Sequence, residues 1–153
     1  MLIALDLATT AGVAWLENNS HELCVTEVKG TAEQQFQYIE KLFHPKLTIV
    51  LIEEFVYFAR STKTQSSLLK RIGVMEYLLS KKSECVVEFM HLQKVRNRYF
   101  KGKDKKKQCL EYFRNKYSAK LTDNHTDALL MLYYYLPVLS LDDDLIDFTL
   151  RII

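Results

Sequence analysis

Proline and glycine are scarce in this chain, at two and four of 153 residues. No Pro/Gly/Ser-rich linker divides it and no internal repeat is visible, so the length suits one domain with a real core. Cysteine is also sparse. Cys24, Cys85 and Cys109 are odd in number, far apart and form no C-x-x-C pair. That disfavours a disulfide framework or a cysteine-based zinc site, and a reducing cytoplasm is the simplest home. No apolar run approaches transmembrane length. The N-terminus has no basic n-region, and Asp6 interrupts its apolar stretch, so it does not read as a signal peptide. The expectation is a cytoplasmic protein without a membrane partner. Charge of one sign is lacking too: the net is +2, so only its distribution can inform.

What is present is a succession of short apolar runs. Residues 2–7 and 12–17 read as strands around a turn at 8–11, and Asn18-Asn19-Ser20 is a second turn signal. Residues 22–29 alternate loosely and would form a third antiparallel strand. Thr31 could cap a helix over 32–43, with Phe36, Ile39, Leu42 and Phe43 on one face and an end at His44-Pro45. Leu47-Thr48-Ile49-Val50-Leu51-Ile52 suits a central strand buried on both faces. A helix with Leu68, Leu69, Ile72, Met75, Tyr77, Leu78 and Leu79 as its apolar positions follows, then a short strand at 84–90. A last helix covers 124–136 and ends at Pro137. The order predicts an α/β fold, a mixed five-stranded sheet with helices on both faces. Residues 1–137 would form the domain. The tail, 138–153, could be an added strand, part of an interface or disordered.

Three acids stand where solubility does not need them. Asp6 ends the first strand, Glu53 ends the buried strand, and Asp127 precedes Ala128-Leu129-Leu130-Met131-Leu132. A buried charge must be paired or bind a metal. Neighbouring strands can bring Asp6 and Glu53 together, and a helix docking its first turn over that sheet edge can add Asp127. Like charges so placed repel unless a cation lies between them. Oxygen ligands without a Cys/His cluster suit Mg²⁺ or Mn²⁺. Two such ions would activate a water and stabilise the leaving oxygen of a phosphodiester. The plainer alternatives are a turn-bonded carboxylate at Asp6, and helix-dipole stabilisation at Asp127 with Asp123 or Asn124 as the cap.

The cations cluster in one stretch. Eleven Lys/Arg fall within 91–120, including Lys94, Arg96, Arg98, Lys101, Lys103, Lys105, Lys106 and Lys107. With Cys109, Leu110, Tyr112, Phe113 and Tyr117 interleaved, much of it reads as an amphipathic helix with a basic face. That face is either solvated or the footprint of a phosphate backbone. Acids for metal and cations for phosphate together favour a nucleic-acid enzyme.

These segments resemble the RuvC-like Holliday-junction resolvases of the RNase H-like superfamily, phage-type members in particular. Four pieces carry the resemblance: Ile3 to Gly12 around Asp6, Ile52-Glu53-Glu54-Phe55, the segment Arg96 to Gln108, and Asp123-Asn124-His125-Thr126-Asp127-Ala128-Leu129. The resemblance spans about 2–136. It implies an RNase H-like fold, a homodimer, Mg²⁺ dependence with Mn²⁺ as substitute, no nucleotide cofactor, and paired nicks at four-way DNA junctions in a bacterial cell. It places the metal ligands at Asp6, Glu53 and Asp127, with Glu53 preferred over Glu54. Lys107 matches the lysine expected near the scissile phosphate. The fourth acid would fall at Asn124, so Asp123, Asn124 and His125 compete to complete the site. Lys103 stands where the family often has glycine. DNA contacts would come from Arg60, Lys63, Arg96, Arg98, Lys101, Lys103, Lys105 and Lys106. Tyr57 or Phe58 would stack on an unpaired base, unless Phe58 belongs to the core. Tyr133-Tyr134-Tyr135 reads as packing around a helix.

Three other readings remain. The segment Asp6 to Gly12 also resembles the phosphate loop of actin-like and sugar-kinase-like ATPases, but those use two such domains, more than this length holds. An RNase H-like nuclease for other branched DNA or RNA would share the same core. A junction-binding protein with impaired catalysis is the third, and Asn124 keeps it open.

Overall fold

Period-two alternation divides each central strand between two cores. The computed structural model describes residues 1–17, 20–54, 62–139 and 148–153, with backbone alone for 62, 63 and 137–139. The turn expected at Asn18-Asn19 lies outside them. The elements are β1 (Leu2–Asp6), β2 (Thr10–Leu16), β3 (Glu22–Lys29), α1 (Ala32–Glu40), β4 (Thr48–Glu53), α2 (Thr62–Ser80), β5 (Cys85–Met90), α3 (Leu92–Tyr99), α4 (Lys105–Tyr117), α5 (Asp123–Leu139) and β6 (Thr149–Ile152). They build one sheet in the order β5-β4-β1-β2-β3-β6. β1 pairs antiparallel with β2, and β2 with β3, while β1–β4, β4–β5 and β3–β6 are parallel.

Leu2 and Ala4 of β1, Ala14 of β2, Leu23 and Val25 of β3, and Leu51 of β4 face α3, α4 and α5. Ile3, Leu5, Val13, Trp15, Val50 and Ile52 face α1 and α2. Helices therefore cover both faces, as alternation requires. Ile3, Leu5, Leu51 and Ile52 are buried, each contributing about 1.5–3 kcal/mol through that burial.

Local chemistry sets the helix ends. Thr31 and Gln34 form a reciprocal capping box at α1, with Gln34 N–H donating to Thr31 Oγ1 and Thr31 N–H to Gln34 Oε1. At α5 the cap is Thr122 rather than Asp123 or Asn124. Thr122 Oγ1 accepts His125 N–H at 3.3 Å, and Thr122 N–H donates to His125 Nδ1 at 3.2 Å.

Four expectations change. The sheet has six strands, because the tail returns as β6, anchored by the buried Phe148. α1 ends at Glu40, short of Phe43. The basic stretch is two helices, because Gly102 at φ +80° and Asp104 at φ +58° turn the chain between α3 and α4. Finally, α5 runs through Pro137 to Leu139. A proline there withholds one N–H from Tyr133 near the helix end, where the helix has little further to run. Among the described residues no helix is long and apolar enough to cross a membrane.

Candidate active site

One row across the sheet holds the site. Asp6 lies opposite Gly12, and Gly12 opposite Glu27. Leu5 pairs with Ile52, so Asp6 and Glu53 continue the same ladder. Alternation from Ala4, Leu51 and Val25 turns all three acids onto the α5 face. Gly12 is required by what sits above it. A Cβ there would come within 2.0 Å of the Asn124 backbone oxygen. The first turn of α5 thus rests on bare backbone, which brings Asp127, one turn along, over Asp6.

The carboxylates feel each other. Asp6 is only 8% exposed and Asp127 2%. Burial, then Asp127, then Glu53 push the Asp6 carboxyl up to about 7. Burial also raises Glu53, against the pull of Arg96, and Glu53 hydrogen-bonds the Asp6 side chain. The three acids that adjoin apolar elements in the sequence are therefore neighbours in space.

Two cations enter from the helices. Arg96 Nη2 of α3 lies 2.5 Å from Asp127 Oδ1. Lys106 Nζ of α4 lies 3.3 Å from Asp127 Oδ2 and 3.6 Å from Asp123 Oδ2. Burial pulls against the Lys106 ammonium, but Asp127 and Asp123 hold it above its ordinary value. The Arg96 contact is ionic without alignment: Asp127 Oδ1 and Arg96 Nε are both buried and make no hydrogen bond among the described residues.

The remaining expected residues divide. Lys107 is 74% exposed at its side chain and pairs loosely with Glu111, at 3.8 Å. The lysine at the acids is Lys106, one position earlier. Asp123 shares Lys106 with Asp127. His125 is buried, with Nδ1 engaged in the α5 cap. Asn124 Nδ2 donates to Glu27 Oε1 at 2.9 Å. Arg98 lies over the Tyr134 ring, and Lys105 Nζ reaches Asn97 Oδ1 at 2.5 Å. Lys101 and Lys103 are exposed, their carbonyls both accepting from Gln108 Nε2 at 2.9 Å. With Lys103 in place of a glycine, the left-handed conformation falls to Gly102 and Asp104. Tyr57, Phe58 and Arg60 lie outside the described residues, as does the Lys63 side chain. Tyr133, Tyr134 and Tyr135 pack against Phe113 and Phe148, Tyr99, and Glu88 respectively.

Glu27 was not singled out from sequence. Its signal was the alternation Leu23, Val25, Glu27, which makes it an inward acid at a strand end. Its Oε1 accepts from Thr122 Oγ1 at 2.7 Å as well as from Asn124. The Thr122 hydrogen bond is the main cause holding the Glu27 carboxyl below its ordinary value.

Among the described residues no three His, Cys, Asp or Glu side chains form a ready-made metal cage. The donor chemistry still fits a hard cation. It is all oxygen, and it gathers buried carboxylates whose charges repel one another.

The strand order and two-sided helix cover define an α/β domain of the RNase H-like fold. Among the solved structures that share it are Holliday junction resolvases. The yeast mitochondrial resolvase Ydc2 matches with a TM-score of 0.55 at 10% identity, over 84% of this chain and 74% of that one. T. thermophilus RuvC in complex with Holliday junction substrate matches with a TM-score of 0.54 at 15% identity, over 90% and 95%. The likeness is one of fold. No protein-family model matches the sequence, and no curated protein matches it.

Proposed function

We propose that this chain is a divalent-cation-dependent endonuclease that resolves four-way DNA junctions by paired phosphodiester hydrolysis, acting as a homodimer in a bacterial cytoplasm. The observation that carries the reading is the convergence of Asp6 and Glu53, on one sheet row, with Asp127 of α5. There burial and the other two carboxylates push Asp6 up to about 7. Solved resolvases on the same fold favour junction DNA as the substrate.

Asp6, Glu53 and Asp127 would hold Mg²⁺ or Mn²⁺, with Asp123 or Asn124 completing the set. When bound, the ion supplies an activated water and charge stabilisation at the phosphate. The chain supplies the rest. β1 and β4 fix two carboxylates in adjacent strands, and the glycine gap at position 12 fixes the third. Arg96 and Lys106 neutralise Asp127 in the ion-free protein. With a cation held by the acids, Arg96 and Lys106 would be released to meet phosphoryl oxygens, where fixed positive charge favours the transition state. This assigns to Lys106 the role that the sequence resemblance gave to Lys107. Arg98, Lys101, Lys103 and Lys105 continue the positive surface along α3 and α4, suited to a DNA backbone.

The test is cleavage of a mobile four-way junction, a flap, a linear duplex and an RNA–DNA hybrid by wild type and Asp6→Asn, with Mg²⁺. Symmetric paired nicks in the junction, lost in Asp6→Asn, are expected. Cleavage of the flap or hybrid alone would move the substrate within the same nuclease class. Junction binding without cleavage in Mg²⁺ or Mn²⁺ would leave a binding protein.

A further inference from the structure

Glu27 reaches the site from β3 and has no part in the chemistry above. A carboxylate can only accept hydrogen bonds, so the contact at 2.9 Å obliges Asn124 to present its NH₂ end to Glu27. Its Oδ1 is thereby turned off Glu27. Asn124 lies over Gly12, and Gly12 separates Glu27 from Asp6 in the row. Thr122 Oγ1, at 2.7 Å, holds the same Glu27 oxygen from the other donor of this turn. The two contacts clip the start of α5 to β3.

We infer that Glu27 is a positioning residue: it fixes the Asn124 amide so that its neutral Oδ1 faces Asp6 and Asp127 as a cation ligand. The inference rests on the proposed cation-dependent site. A carboxylate behind an amide NH₂ polarises it and enriches the carbonyl oxygen, as outer-shell partners do for metal ligands generally. Glu27 would thus supply, one bond network away, the negative charge that an asparagine lacks.

Titration calorimetry with Mn²⁺ on the full chain tests this, comparing wild type, Asp6→Asn, Glu27→Leu and the exchanged pair Glu27→Gln with Asn124→Asp. Glu27→Leu is expected to weaken Mn²⁺ binding about 10–100-fold. In the exchanged pair, the amide introduced at position 27 would donate where Glu27 accepted. The carboxylate introduced at position 124 would then again direct an oxygen inward, and affinity should return to wild type or better. A clip that is merely structural would lower the ion-free melting temperature without this rescue. Wild-type affinity in Glu27→Leu, with binding lost in Asp6→Asn, would overturn the inference and leave the nuclease reading standing. No Mn²⁺ binding by wild type would overturn both. If Glu27→Leu does not fold, the exchanged pair decides. Folded but binding ten or more times more weakly than wild type, it refutes the assignment; folded with restored affinity, it supports it.

Discussion

Burial and two neighbouring carboxylates push Asp6 up to about 7, which makes folding depend on pH. An unfolded aspartate titrates near about 3.9. Between those values the folded protein holds a proton that the unfolded chain has released. Stability from this group is therefore fully present below about pH 4 and lost as pH rises through 7. In the ion-free protein, raising pH from 5 to 8 should cost on the order of 1–3 kcal/mol at this site. His125, lowered by burial, acts oppositely, losing stability as pH falls below its ordinary value. The clean readout is therefore the difference between wild type and Asp6→Asn in thermal unfolding. Asp6→Asn should gain most at pH 8 and little at pH 5, and parallel profiles would refute the argument. Glycines give a second residue-level contrast. Gly12→Ala forces a Cβ to within 2.0 Å of the Asn124 oxygen and should cost about 1–3 kcal/mol or more. Gly73→Ala, within α2 and with nothing inside 4 Å, should stabilise by about 0.5–1 kcal/mol. Chemical denaturation of both variants checks the pair.

On α4, successive residues turn about 100° apart, so Lys105, Lys106 and Lys107 serve different faces. Lys105 reaches Asn97, Lys106 reaches Asp127, and Lys107 lies beside Glu111. Lys106→Ala should slow single-turnover junction cleavage by about 10²–10³-fold, the scale of losing a preorganised charge. Lys107→Ala should stay within a few-fold. Equal losses would return the role to Lys107. A sequence alone could not make this choice, because one residue of helix register decides it and three adjacent lysines look alike. The five strands of the expected sheet, and the helices expected at 32–43 and 124–136 though not their ends, were legible because apolar residues recur with periods of two and 3.6 over long enough runs. Asp6, Glu53 and Asp127 were legible as charges adjoining apolar elements. The break between α3 and α4 was not, since it rests on backbone conformation at Gly102 and Asp104 rather than on a change of hydrophobicity. Glu27 escaped notice because the inward face of its strand, Leu23, Val25, Glu27 and Lys29, was only loosely marked.

At the scale of the whole molecule, the chain closes its sheet with its own last residues. β6 pairs Thr149 to Ile152 with Glu22 to Val25, and Thr26 Oγ1 donates to the Ile153 carbonyl at 2.7 Å. Three of the four β6 residues are exposed, so hydrophobic pattern could not announce this strand; backbone pairing holds it. Each such hydrogen bond contributes about 0.5–1.5 kcal/mol net. Deleting 149–153 while keeping Phe148 should therefore cost roughly 2–4 kcal/mol in urea unfolding. It also leaves β3 as a bare edge, which favours association between chains, so light scattering at rising concentration should increase. The pairing stops at Val25, two residues before Glu27. If the β3 end is held chiefly by the clip to α5, the truncated protein should keep most of its Mn²⁺ affinity, losing less than Glu27→Leu does. An unchanged urea midpoint would show that β6 adds nothing to stability. A loss of Mn²⁺ binding as large as that of Glu27→Leu would show instead that the edge strand, and not the clip, sets the position of Glu27.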